Sequence, residues 1–209
     1  MSGIDTKAKL VLASASPRRR QILSDLGWAF GTCVPDVDEA VLAGEVPADT
    51  AGRLACAKAT AASRSTAGAV TIGADTVVDV DGLALGKPRD RDDACRMLRL
   101  LNDRAHLVHT GVAVARDGLL LDRGVETTTV WFGALREEEI MRFVASGEGD
   151  DKAGAYAIQG LGAALVRRIE GCYYNVVGLP VYRLCGMLKR IYGISYGGWE
   201  MKADAQNLG

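Results

Sequence analysis

Two Asp-Gly pairs, each lying between apolar and β-branched runs, constrain this chain more than any other feature. The segments "AVTIGADTVVDVDGLAL" (69–85) and "AHLVHTGVAVARDGLLLDRGVETTTVWFG" (105–133) each contain a strand, an Asp-Gly turn and a returning strand. Asp-Gly favours a two-residue hairpin turn because that turn needs positive φ at its central positions. Such a turn joins antiparallel strands, so the sheet of this protein cannot be wholly parallel.

The segments around the hairpins alternate short strands with amphipathic helices, and this order predicts a mixed α/β or α+β fold, of which we favour α/β with a mixed sheet. We expect strands over 10–13 and 28–34, helices over 17–26, 47–65, 89–102 and 136–147, and a strand, a loop and a final helix within 163–193. Asp49 or Thr50 is the expected N-cap of the second helix. One domain is predicted over residues 1–193, followed by a flexible tail over 194–209.

Composition excludes several classes of protein. The chain has 209 residues and a formal net charge of -1, which argues against a globally basic nucleic-acid partner. Its five cysteines form no CxxC pair, which argues against zinc and against a disulfide framework. His106 and His109 fall three apart in a predicted strand, so their side chains should point to opposite faces and bind no common metal. No run has the length of a membrane span, and we therefore predict a cytoplasmic protein without a membrane partner.

The stretch "SASPRRR" (14–20) places three arginines at the start of a helix, where the helix dipole disfavours cations. Ser16 is the expected N-cap and Pro17 the first helical residue. Unpaired N–H groups at a helix start bind phosphate oxygens, and arginine adds paired donors that suit phosphate. Ser14, Arg18 and Arg19 are therefore candidates for phosphate binding. A capped surface helix with solvated arginines explains the same stretch equally well.

Two acidic segments suggest a divalent cation. The "DVDE" stretch (36–39) contains Asp38 and Glu39 in a loop, and such carboxylates are ligands that Mg²⁺ or Mn²⁺ prefers. A solvated acidic loop is the simpler explanation of that stretch alone. Asp75 in "GADT" lies near the end of a predicted strand among small residues, where binding sites of α/β proteins form. A core role explains it poorly, so a functional role is favoured.

Basic and amide side chains complete a candidate polyphosphate site. Lys58 stands alone among small residues of a predicted helix, either extended to solvent or directed into an anionic site. Lys87 follows a strand in the stiff "GKP" turn. The "DKAGAYAIQG" stretch (151–160) offers Lys152 and Gln159, and an amide can read a base edge with its donor and its acceptor. Cations that neutralise phosphate and carboxylates that hold a metal are what polyphosphate chemistry requires.

Six of these segments resemble a known family. "SASPRRR", "DVDE", "GADT", "GKP", "DKAGAYAIQG" and "GCYYNVVGLP" occur in the order and approximate spacing of the Maf-like nucleotide pyrophosphatases, over roughly residues 9–192. The resemblance implies a mixed α/β fold related to the inosine-triphosphate pyrophosphatases, with two lobes around a deep cleft. It implies hydrolysis of a nucleoside triphosphate to a monophosphate and pyrophosphate with Mg²⁺ or Mn²⁺. It also implies a cytoplasmic house-cleaning role, a link to arrest of cell division and a homodimer.

The resemblance extends to a branch of the family and to single residues. "DKAGAYAIQG" is similar to the dTTP/UTP branch, whereas a "DCAGSFKxEG"-like stretch marks the 7-methyl-GTP branch. The resemblance implies that Asp75 is catalytic and that Arg18, Thr76 and Gln159 discriminate the substrate. Its implied phosphate and metal set is Ser14, Arg19, Asp38 or Glu39, Lys58 and Lys87, with Lys152 beside the substrate. A non-catalytic nucleotide-binding regulator of septum formation, or a 7-methyl-GTP pyrophosphatase, is the alternative.

Overall fold

A computed structural model describes residues 9–193, and these residues form one mixed sheet of seven strands. The strands are β1 (Leu10–Ala13), β2 (Phe30–Thr32), β3 (Val70–Val80), β4 (Leu83–Leu85), β5 (Ala105–Arg116), β6 (Leu119–Phe132) and β7 (Val166–Glu170). Their order is β2-β1-β3-β5-β6-β7, and β4 pairs with β3. β1 runs parallel to β2 and β3, whereas the other pairs are antiparallel. The prediction of a mixed α/β fold is confirmed.

Six α-helices accompany the sheet within the described range. They are α1 (Pro17–Asp25), α2 (Pro47–Ser65), α3 (Arg91–Leu101), α4 (Glu137–Ala145), α5 (Tyr173–Val177) and α6 (Val181–Tyr192). Two 3-10 turns, Ala153–Ala155 and Gly160–Ala164, and the short α5 lie where the sequence predicted only loop.

The two helix starts that we predicted from capping residues have different outcomes. Ser16 caps α1 as expected, since its side chain accepts a hydrogen bond from the Arg19 N–H at 3.4 Å. The predicted cap of α2 is wrong, because the cap position is Val46 and no side chain caps it. Proline at the first helical position moves the start ahead of Thr50, whose hydroxyl bonds to Glu45 instead.

Helices cover both faces of the sheet. On one face, Ile72 and Ala74 of β3 belong to an apolar cluster with α1 and α6, whereas Val78 and Val80 belong to a second cluster with α3 and α4. Side chains alternate along a strand, so Thr76 lies between these two clusters on the same face. The break in apolar packing at this position is where the cleft opens.

Helix α2 packs unusually close to the opposite face because two strand positions are glycine. A Cβ atom on Gly73 would lie 2.3 Å from the Ala55 carbonyl oxygen, and one on Gly111 would lie 2.1 Å from the Ala51 carbonyl oxygen. Any larger residue would therefore force the helix away from the sheet. The close approach sets the height of the Lys58 side chain over β3.

The predicted tail over 194–209 lies beyond the described residues. Between residues 9 and 193, no helix is long and apolar enough to cross a lipid bilayer. All five cysteines lie in this range and are unpaired.

Candidate active site

A cleft of about 550 Å³ opens over β3, where the start of α1 meets the ends of β1 and β4 and the 151–159 segment. Ten of the predicted site residues line its wall. They are Ser14, Arg18, Arg19, Glu39, Lys58, Asp75, Thr76, Lys87, Lys152 and Gln159. Residues from six separate segments of the sequence thus meet in one cavity.

Lys58 joins two carboxylates at the centre of the cleft. Its Nζ atom lies 2.6 Å from Asp75 Oδ1 and 2.6 Å from Glu39 Oε1. The Lys58 side chain is only 12% exposed, so it is directed into the cleft and not extended to solvent. Partial burial disfavours the charged form of Glu39, but the hydrogen bond from Lys58 and the charges of Lys58, Lys87 and Arg19 prevail. The pKa of Glu39 is therefore held below its ordinary value.

The structure separates the two acids that the sequence left as alternatives. Glu39 lines the cleft, whereas Asp38 is exposed in the loop, and its Oδ1 accepts the Ala40 N–H at 2.9 Å. Within residues 9–193, no group of three or more His, Cys, Asp and Glu side chains is arranged to hold a metal. Glu39 and Asp75 are the two cleft carboxylates that meet at Lys58. That set fits Mg²⁺, which proteins often hold through one or two carboxylates together with substrate phosphates.

Arg19 is buried at the inner wall of the cleft and is fixed from three directions. Its guanidinium donates to the Gly178 carbonyl at 2.7 Å, to Ser14 Oγ at 3.1 Å and to Thr76 Oγ1 at 3.0 Å. Burial lowers the pKa of Arg19, and the nearby charge of Asp75 opposes that shift. Three of the five N–H groups of arginine are thus used, and two remain for an anion in the cleft.

A directional chain of hydrogen bonds continues from Arg19 into the core. Thr76 and Thr110 share a hydrogen bond of 2.9 Å, and the Thr110 hydroxyl donates to the Asn175 backbone carbonyl at 2.8 Å. The Asn175 amide donates to the Val108 carbonyl at 2.9 Å and to Thr128 Oγ1 at 2.9 Å. Sequence reasoning assigned no role to Thr110 or Asn175. The available signal was a threonine inside an apolar strand, a residue that needs a partner when buried.

The cleft wall also contains Arg18, Lys152 and Gln159, which we associated with the substrate. Arg18 is half-buried, and burial lowers the pKa of its guanidinium while the charges of Asp151 and Glu148 oppose the shift. Lys152 pairs with Asp151 beside it. Gln159 and Lys87 are exposed at the rim. The arginines of the "SASPRRR" stretch are therefore not equivalent, since Arg20 is exposed and is not part of the cleft wall.

The two histidines have structural surroundings on opposite faces of β5, as predicted. His106 Nε2 shares a hydrogen bond of 2.7 Å with Tyr156 Oη in the cluster formed with α3 and α4. Burial lowers the pKa of His106 to about 4, and the charge of Arg104 adds to that shift. His109 lies between Asp79, at 3.2 Å, and Thr127, at 2.9 Å.

Comparisons with known proteins find one family and many similar chains. The model of the Maf family, described as "Maf-like protein", matches residues 9–191. A dTTP/UTP pyrophosphatase of Geobacter sulfurreducens is 50% identical over 188 residues, with 88% of this chain and 97% of the relative covered. Another from Geotalea uraniireducens is 47% identical over 194 residues, covering 91% of this chain and 99% of the relative. A third from Vibrio cholerae is 50% identical over 186 residues, covering 88% and 99%.

Solved structures show a weaker likeness. A HAM1 protein from Coxiella burnetii is 16% identical with a TM-score of 0.44, and covers 71% of this chain and 86% of that one. A nucleoside-triphosphatase, dITP/XTP pyrophosphatase, from Mycobacterium abscessus is 18% identical with a TM-score of 0.36, covering 58% and 74%.

The mixed sheet and its cleft, where two carboxylates meet a lysine beside a fixed arginine, define an α/β protein with one charged cavity over β3. The match of the family model over almost all of the described range is more specific. The chain belongs to the Maf family.

Proposed function

We propose that this protein is a nucleoside triphosphate pyrophosphatase that hydrolyses dTTP and UTP to the monophosphate and pyrophosphate. The observation that carries the proposal is the Lys58 ammonium lying 2.6 Å from both Asp75 and Glu39, beside the fixed guanidinium of Arg19. Carboxylates next to fixed cations suit a metal-bound triphosphate better than any uncharged ligand. The names of the relatives at 47–50% identity support the pyrimidine substrates.

Asp75 and Glu39 would hold the divalent cation, Mg²⁺ or Mn²⁺. When bound, such a cation polarises phosphate oxygens and neutralises charge that develops on them. Lys58 keeps the carboxylates of Glu39 and Asp75 at one point of the cleft. Its own positive charge would face the phosphate oxygens of the substrate. Asp38 is not included in this set, because its carboxylate holds the backbone of its own loop.

The remaining cations would bind the phosphates and orient the α-phosphorus for attack by water. Arg19 cannot swing away from the cleft, because Gly178, Ser14 and Thr76 fix its guanidinium. Preorganised donors of this kind stabilise charge in the transition state without reorganising during the reaction. Lys87, exposed in the cleft wall, would neutralise the pyrophosphate. Water adds to the α-phosphorus, the bond to the α–β bridging oxygen breaks, and one proton passes to solvent by way of Asp75.

The base would lie against the wall formed by Arg18, Thr76, Lys152 and Gln159. Gln159 offers both a donor and an acceptor, which matches the mixed edge of a pyrimidine with a carbonyl and an N–H. Adenine lacks a carbonyl beside a ring N–H, and both purines have a larger ring. The selectivity for dTTP and UTP is therefore assigned to the amide of Gln159.

A panel of nucleoside triphosphates with Mg²⁺ or Mn²⁺, with release of pyrophosphate as readout, tests the function. We expect dTTP and UTP to be the preferred substrates and a chelator to abolish turnover. Asp75→Asn should abolish turnover and leave nucleotide binding and the fold intact. Asp81→Asn, the same exchange in the exposed β3–β4 turn, is the matched control. Nucleotide binding without pyrophosphate release would instead indicate a regulator, and near-normal activity of Asp75→Asn would contradict the catalytic assignment.

A further inference from the structure

We propose that Arg53 and Glu45 are positioning residues that brace the loop between β2 and α2, and that this brace holds Glu39 against Lys58. The inference rests on the proposed function, because it concerns how one of the two proposed metal ligands reaches the cleft. Neither residue lines the cleft wall. Their effect on the reaction would therefore pass entirely through the loop.

The pair has the geometry of a two-point clamp. Arg53 Nε lies 2.6 Å from Glu45 Oε1, and Arg53 Nη2 lies 2.7 Å from Glu45 Oε2. Two parallel hydrogen bonds of this kind fix both distance and orientation. Arg53 lies on α2, the helix that also carries Lys58, whereas Glu45 lies on the loop just before it. The clamp thus joins the loop to the helix whose lysine Glu39 must meet.

The clamp reaches the residue next to Glu39. Arg53 Nη2 also donates to the Ala40 carbonyl oxygen at 2.9 Å, and Ala40 directly follows Glu39 in the chain. Within the loop, Asp38 Oδ1 accepts the Ala40 N–H at 2.9 Å. Both backbone polar groups of Ala40 are therefore used, and the two peptide units that follow Glu39 in the chain are each held by a hydrogen bond.

The Glu45 carboxylate also accepts hydrogen bonds from other residues of the loop and of the start of α2. Its Oε2 atom accepts the Thr50 hydroxyl at 2.9 Å and the Leu42 N–H at 3.3 Å. The Glu45 side chain is only 11% exposed. The hydrogen bond from Arg53 is the main cause that lowers the pKa of Glu45 to about 2. The carboxylate therefore stays ionised at neutral pH.

Little apolar packing is available to replace these contacts. Val34, Val41, Leu42 and Val46 are all more than half exposed. Burial of apolar side chains normally holds a loop in place, and here most of those side chains face solvent. The polar clamp is therefore the main restraint on the loop that carries Glu39.

The charge of Arg53 makes a decisive test possible. Arg53 lies close enough to Asp38 and Asp75 for their charges to interact with its own. If Arg53 acted only through its charge, its removal would strengthen cation binding in the cleft, because one repelling charge would be lost. If it acts as a brace, its removal weakens cation binding, because Glu39 is no longer held in place. The two roles therefore predict changes of opposite sign in the affinity of the cleft for a cation when Arg53 is replaced.

The experiment compares wild type, Arg53→Met and Arg99→Met. Arg99 forms a similar two-point pair with Glu137 between α3 and α4, away from the cleft, and serves as the matched control. Two readouts are taken: amide hydrogen exchange of residues 38–45 without ligand, and the affinity for Mn²⁺ in the presence of a non-hydrolysable α,β-methylene analogue of dTTP, followed by electron paramagnetic resonance. Arg53→Met should speed exchange in the loop and weaken Mn²⁺ binding by about tenfold. Arg99→Met should change neither readout.

A double variant locates the effect on Glu39. In a Glu39→Gln background, Arg53→Met should weaken Mn²⁺ binding no further, because the ligand through which it acts is already lost. Unchanged loop exchange in Arg53→Met, or Mn²⁺ binding as tight as in wild type or tighter, would overturn the proposal. Failure of the wild type to bind Mn²⁺ with the analogue would overturn the proposed function, and loop exchange would still report on the clamp.

Discussion

Thr76 and Thr110 are directly paired residues of β3 and β5, and their hydroxyl groups lie 2.9 Å apart. They form the polar break between the two apolar clusters that cover this face of the sheet. Thr76 accepts a hydrogen bond from Arg19, and Thr110 donates to the Asn175 carbonyl. Hydrogen bonds through Thr76 and Thr110 thus connect the Arg19 guanidinium in the cleft to the backbone of α5.

Replacement of Thr110 tests whether this tie serves catalysis. Thr110→Val keeps the shape and removes the hydroxyl, so Thr76 loses its acceptor and the Asn175 carbonyl loses its donor. We expect a loss of about 1–3 kcal/mol of unfolding free energy and a fall in kcat/KM of about 10- to 100-fold. Denaturant unfolding and steady-state kinetics measure the two effects. Thr110→Ser, which keeps the hydroxyl, should recover most of the activity, and equal loss in both variants would show that only packing matters.

The role of Gln159 in base selection predicts a change of substrate ratio. Gln159→Glu removes the amide donor and adds a negative charge at the rim of the cleft. The ratio of kcat/KM for dTTP to that for dGTP should fall at least about tenfold. Gln21→Glu adds the same charge on exposed α1 and should leave the ratio unchanged. An unchanged ratio in Gln159→Glu would mean that this amide does not read the base.

The close packing of α2 predicts an intolerance to a single methyl group. A Cβ atom on Gly73 would lie 2.3 Å from the Ala55 oxygen and 2.5 Å from the Ala59 nitrogen. Gly73→Ala should therefore cost about 1–3 kcal/mol or more of unfolding free energy. Activity should fall as well, because Lys58 moves with the helix. Gly133→Ala, where no described atom lies within 4 Å of the added Cβ, should stay within about 0.5 kcal/mol of wild type.

Burial of His106 predicts a loss of stability in mild acid. The pKa of His106 is about 4 in the folded state, against 6.5 for an exposed histidine. Above pH 6.5 the side chain is neutral in both states. As the pH falls from 6.5 to 4, the unfolded chain takes up a proton that the folded protein does not, so stability falls by about 3 kcal/mol.

The comparison with His106→Gln isolates that contribution from the carboxylates that also titrate in acid. Urea unfolding of both proteins between pH 7 and pH 4 gives the difference in unfolding free energy at each pH. The advantage of wild type over the variant should shrink by about 3 kcal/mol across this range. A difference that does not vary with pH would show that His106 is not held neutral.

Most of the fold and of the site could be predicted from local patterns. The Asp-Gly hairpins, the capped start of α1 and the amphipathic helices are encoded within a few residues, and the cleft residues lie in short motifs. The separate placement of Asp38 and Glu39 could not be predicted, because their loop contacts residues far along the chain, such as Arg53, 14 residues beyond Glu39. The roles of Thr110 and Asn175 depend on strand pairing and on a contact 65 residues apart. The predicted homodimer, cytoplasmic location and link to cell division remain predictions.

The cleft wall contains five cationic side chains and three acidic ones, although the whole chain carries a formal charge of -1. A local excess of positive charge within a low-dielectric wall attracts polyanions over distances longer than a contact, and added salt screens that attraction. The same charge still acts on pyrophosphate after the bond has broken. Salt should therefore slow capture of the substrate and speed departure of the product, so that kcat/KM falls while a kcat limited by product release rises.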